Sequence, residues 1–141
     1  MIRPQAVIDT SALVAMAYGE PDFERLRAVF NETDGLIPAV VIVEFHRVTA
    51  LAGNLRDPDA VIVIEALLAA GSSIVDFDAA TAEVAVWANP RFGSGSGHRA
   101  KLNMLDLMVY AVAAVARIPI LCTGNDFAAT DALIHPASRI G

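Results

Sequence analysis

Several things are scarce in this sequence, and each scarcity excludes a class of function. Cys122 is the only cysteine, so no intrachain disulfide can form, and a reducing compartment such as the cytoplasm suits the chain. The three histidines, His46, His98 and His135, form no cluster with one another or with Cys122, which argues against a zinc site. Basic residues are outnumbered, 10 against 16 acidic ones, for a net charge of -6. A general nucleic-acid binder needs local positive charge for phosphate contacts, and this chain has little to spare. Long hydrophobic runs are missing too. The longest, Leu107–Ala116, falls well short of the roughly 20 residues of a membrane span. Asp9 breaks the early apolar run, so no secretory signal is expected. Internal repeats are absent, and the only flexible-looking tract is "NPRFGSGSGHRAK", residues 89–101.

What remains is apolar. Hydrophobic residues make up 55% of the 141, and mean hydropathy is +0.52. The length predicts one domain, residues 1–141, with a core of useful size. So high a hydropathy predicts that a partner covers part of the surface.

Strand and helix signals alternate along the chain. Residues 5–8 predict a buried strand and 10–18 a helix ending near Gly19. Phe23, Leu26, Val29 and Phe30 share one helical face over 21–33. Asp34-Gly35 signals a turn, Leu36-Ile37 a strand, and "AVVIVEFHRVTALAG" a helix closed by Gly53. A helix from Asp57-Pro58 to about Ala70, a strand at 73–75 and a helix capped by Asp78 and running to about Ala88 follow. The strongest helix signal is 103–117, after which Pro119 introduces a strand at 120–122 and "TGND" a turn. Such alternation predicts a parallel sheet covered on both faces by helices. Ligands of such sheets bind beyond the carboxyl ends of the strands.

Four acids occupy places of that kind. Each has an ordinary explanation. Asp9 could cap the helix at 10–18. Glu44 could be a solvated helix residue. Asp106, three residues after Asn103, could complete a capping box. Asp126 could shape a turn. Together they suggest more, because clustered carboxylates repel and resist desolvation, and a bound cation offsets both. Hard oxygen ligands without histidine or cysteine favour Mg²⁺ or Mn²⁺.

The segments "VIDTSALVA", "IPAVVIVEF", "LNMLDLMVYAVA" and "LCTGNDFAATD" resemble, in order, the four acidic motifs of PIN-domain ribonucleases, and of the VapC toxins in particular. The resemblance spans nearly the whole chain. It implies a three-layer α/β/α sandwich with a central parallel sheet, Mg²⁺-dependent (or Mn²⁺-dependent) endonucleolytic cleavage of RNA, a homodimer, and a VapB-type antitoxin as partner. It also implies a catalytic set of Asp9, Glu44, Asp106, Asp126 and Ser11, with the four acids as metal ligands. Thr10, Asn125 and Asp131 fall at supporting positions. One departure is Leu105, where many relatives have glycine before the third acid. Apart from the resemblance, Arg91, His98, Arg99 and Lys101 form the densest basic patch, a solvated loop or a contact for RNA phosphates.

Two other classes remain open on sequence. A phosphatase of the haloacid-dehalogenase type also begins with a strand and an Asp, but needs a second Asp two residues on, where this chain has Ser11. A non-catalytic interaction domain could keep the fold, though all four acids are present.

Overall fold

The computed structural model describes residues 3–21, 23–52 and 57–138. Strands and helices follow in the order β1 (Gln5–Ile8), α1 (Thr10–Ala17), α2 (Phe23–Glu32), β2 (Asp34–Pro38), α3 (Ala39–Ala52), α4 (Asp57–Ala69), β3 (Ser73–Val75), α5 (Ala79–Phe92), α6 (Met104–Ala116) and β4 (Ile120–Leu121). All strand pairings are parallel, in the spatial order β3-β2-β1-β4. Each crossover carries two helices, as a parallel connection requires. The result is the expected α/β sandwich around a parallel sheet.

Burial explains why β1 is central. Ala6, Val7 and Ile8 are fully buried, so both faces of the strand are covered. Val7 pairs with Leu36 on one side and Ile120 on the other. The chain steps from β1 to β2 to β3 in one direction, then returns to the far side of β1. The order therefore reverses between β1 and β4, which opens a crevice beyond their carboxyl ends.

The structure departs from the sequence expectations in four places. Asp34-Gly35 is not a turn but the start of β2. A Cβ on Gly35 would lie 2.7 Å from Ser72 Oγ, and the Gly35 N–H donates to that same oxygen. The glycine there serves close packing, not chain reversal. Helix α5 runs past Ala88 to Phe92, because Pro90 falls in the last turn, where its missing N–H costs only one bond. The 89–101 tract is consequently not a loose loop. Phe92 packs edge-on to His98 and tilted against Tyr110, and Gly93 bridges to the buried Leu102. Finally, residues 133–135 run beside β4 as a rudimentary parallel strand. The Ile120 N–H donates to Leu133 O, and the His135 N–H to Ile120 O. Gly53, expected to close α3, lies outside the described residues.

Candidate active site

Each of the four acids adjoins a buried apolar residue: Ile8 before Asp9, Phe45 after Glu44, Leu107 after Asp106, Phe127 after Asp126. Phe45 and Phe127 are among the largest fully buried side chains. Removing such a ring costs about 3–5 kcal/mol. These anchors fix the backbone on which the acids stand. Asp9 follows β1, Asp126 follows β4, and Asp106 lies in the first turn of α6. Glu44 is in the second turn of α3 rather than the first, since that helix starts at Ala39.

The ordinary roles are real, and the same side chains carry them. Asp9 caps α1: its Oδ2 accepts from the Ser11 N–H at 3.1 Å and from Ser11 Oγ at 2.5 Å. Asp106 completes a capping box, its Oδ2 accepting from the Asn103 N–H while Asn103 Oδ1 accepts from the Asp106 N–H. In each carboxylate these bonds engage the Oδ2 atom.

Electrostatics bring the four together. Asp9 is 7% exposed, and burial raises its carboxyl above the usual range. The bonds from Ser11 oppose the rise, while Glu44 and Asp126 add to it. Asp106 is pushed up to about 7, first by burial, then by Asp126, Asp9 and Glu44, against the lowering bond from Asn103. No described lysine or arginine pairs with any of the four. Among the described residues, no three of these groups stand close enough to complete a coordination shell. The arrangement is a like-charged edge of hard oxygens, one of them buried. A small divalent cation fits that donor set, and His or Cys ligands are absent from it.

The other candidates separate. The Ser11 hydroxyl donates to Asp9 and accepts the Thr123 N–H at 3.0 Å, tying the segments that follow β1 and β4 together. Thr10 is buried with its hydroxyl unpartnered. Asn125 is exposed, just before Asp126. Asp131 is not among the charges that act on Asp9 or Asp106, and its carboxylate accepts a hydrogen bond from Tyr110. Arg91 lies 4.0 Å from the Trp87 ring centroid and donates to Trp87 O. His98 accepts the Ala100 N–H on Nδ1, which makes it part of the loop's scaffold. Cys122, missed on sequence as a neighbour of the site, is buried, and its thiol is pushed up to about 11, first by burial and then by Asp9. It is no nucleophile near neutral pH.

Ser11→Ala is expected to destabilise the protein by about 1–3 kcal/mol, since it strips Asp9 and the Thr123 N–H of a partner. RNA cleavage and Mg²⁺ affinity should fall with it, and Ser11→Thr should recover part of both. Denaturant melts with a Mg²⁺ titration check this; an Ala variant with unaltered Mg²⁺ affinity and cleavage would remove Ser11 from the site.

Fold and site together define a PIN domain, and the family model described by that name matches residues 6–133. A VapC ribonuclease of Rhizobium meliloti is 31% identical over 88% of this chain and 96% of its own length. Ribonuclease VapC42 of Mycobacterium tuberculosis is 35% identical over 93% of this chain and 98% of its own. Among solved structures, the sarcin-ricin-loop-cleaving toxin VapC20 of Mycobacterium tuberculosis aligns with a TM-score of 0.73 at 17% identity, covering 91% of this chain and 96% of that one. The VapBC2 complex of Rickettsia felis bound to promoter DNA contains a chain that aligns at 0.64 and 14% identity, covering 96% and 98%. The chain belongs to the PIN-domain family, as one of its VapC ribonucleases.

Proposed function

We propose that this protein is the toxin of a toxin–antitoxin pair, and that it hydrolyses RNA phosphodiesters internally with water in the cytoplasm. One observation carries the reading: Asp9, Glu44, Asp106 and Asp126 stand in one another's field at the sheet's switch point, with Asp106 raised to about 7. These four residues would hold a divalent cation, Mg²⁺ or Mn²⁺, drawn closer around it than they stand in the cation-free chain. Bound there, it would supply Lewis-acid stabilisation of phosphate charge and a more acidic water. Asp106 keeps Oδ2 on Asn103, which leaves Oδ1 for the cation or for the proton of the attacking water. Ser11 is committed to Asp9 and Thr123, so no side-chain nucleophile is invoked.

The relatives favour this over the phosphatase alternative, which also lacks its second Asp at position 11. A VapB-type antitoxin and a second copy of the chain are the proposed protein partners. Exposed apolar side chains that such partners would cover include Val43, Leu51 and Ile62 on α3 and α4, and Val86 and Met104 on α5 and α6.

The test is cleavage of single-stranded RNA by the purified protein before and after chelation. Excess EDTA should abolish cutting, and Mg²⁺ or Mn²⁺ should restore it. Undiminished cleavage in EDTA would overturn the metal-dependent reading.

A further inference from the structure

The structure divides the basic patch. Arg91 is held on Trp87, and His98 is spent on the Ala100 N–H. Arg99 and Lys101 remain: both are exposed with no partner among the described residues, and Arg99 is the one that lines a cleft. Its loop is nevertheless fixed, because Ala100 and Leu102 on either side of Lys101 are buried and Phe92 packs on His98. Lys101 between them adopts a left-handed backbone, φ 50°.

Arg99 borders a cleft of about 280 Å³ whose other walls are Asn125, Ala128 and Ala129. That far wall is also fixed. The Ala128 N–H donates to Asn125 O, the Thr130 N–H to Phe127 O, and Phe127 is buried beneath. Asn125 immediately precedes Asp126, so the cleft opens beside the acidic edge.

An RNA strand must bring phosphates to an edge of four carboxylates on a chain of net charge -6. A fixed cation beside that edge would offset the repulsion. The cleft offers a guanidinium for phosphate and two methyl groups as a flat wall. We propose that Arg99, across the cleft from Asn125, grips the backbone phosphate of the nucleotide flanking the cut. The inference rests on the RNA-cleaving role proposed above and names the residue that seats the strand.

The experiment compares the full-length protein with Arg99→Ala, Arg99→Lys and, as a control for net charge, Arg27→Ala, which removes a surface arginine paired with Glu24. Binding of a fluorescent single-stranded RNA is measured in EDTA across a salt series, Mg²⁺ binding by calorimetry, and cleavage in Mg²⁺. Arg99→Ala should weaken RNA binding roughly ten-fold and lower the slope of log K against log salt by about 0.7, one phosphate's worth for a single strand. Mg²⁺ affinity should hold. Arg99→Lys should restore the slope but not all the affinity, since a lysine lacks the two-pronged grip. Arg27→Ala should match the parent. An Arg99→Ala protein with the parent's affinity and slope, in a parent that binds and cuts RNA, overturns the subsite and leaves the ribonuclease reading standing. A parent that neither binds nor cuts RNA overturns both.

Discussion

Asp106→Asn is expected to abolish most RNA cleavage, weaken Mg²⁺ binding and leave the cation-free protein more stable than the parent. The sign follows from opposing effects on one side chain. As a helix cap, the charge at the start of α6 contributes about 0.3–1 kcal/mol that an amide would lose. Asparagine still offers an oxygen to the Asn103 N–H, so the capping box survives. Against this stand burial and three like charges, which together raise the carboxyl from 3.8 to about 7 with the cap's benefit already included. A three-unit rise corresponds to ~4 kcal/mol if unscreened. The group is partly open to solvent, so about 1–2 kcal/mol is the expected gain at pH 8. A thermal melt with and without Mg²⁺, paired with one cleavage assay, checks it. A less stable and fully active variant would reduce Asp106 to a cap and remove most of the case for a carboxylate-held cation.

The same carboxyls predict an inverted pH dependence. Asp106 and Asp9 bind protons more tightly in the folded state than in the unfolded chain. The contribution of Asp106 is complete below about pH 4 and is lost as pH climbs through its folded value near 7, and Asp9 acts in the same direction. His135 works the other way, since burial lowers its proton affinity, but that opposing contribution is half gone at pH 6.5 and has faded by about pH 7.5, where the group is essentially neutral in both states. In EDTA, the melting temperature should therefore fall between about pH 6.5 and 8, by a few degrees for each kcal/mol lost. Saturating Mg²⁺ should reverse the fall at pH 8; a ligand at 100 times its Kd adds about 2.7 kcal/mol. A flat profile in EDTA with no Mg²⁺ shift would mean that the acids do not share one site.

Much of this protein is local and so was legible in its sequence. Asp78 caps α5 through the Thr81 N–H three residues away, and Asn103 caps α6 through Asp106 at the same spacing. The strand at 73–75 and the helix over 39–52 follow from patterns within a few residues. Even the acids were visible, because a carboxylate that ends an apolar run stands out against its neighbours.

The parts that sequence left open depend on contacts between distant segments. Whether Asp34-Gly35 turns or pairs was decided by Ser72, which reaches Gly35 across 37 positions. The strand-like run at 133–135 exists because Ile120 exposes backbone groups that need partners. Ser11 and Thr123 meet across 112 positions to join the segments after β1 and β4 that bear the first and last acids. Arg91 and Arg99 look alike in the sequence, yet Trp87 takes one and leaves the other beside Asn125. Asp131 stood at a supporting position in the sequence, and its partner Tyr110 lies 21 positions away. The sequence by itself determined the alternation of elements and the caps, since propensity and periodicity act over one or two turns, and it singled out the four acids of the proposed site. Only the tertiary structure decided which polar groups share an environment, because hydrogen bonds and fields depend on distance in space, and chain folding alone sets that distance.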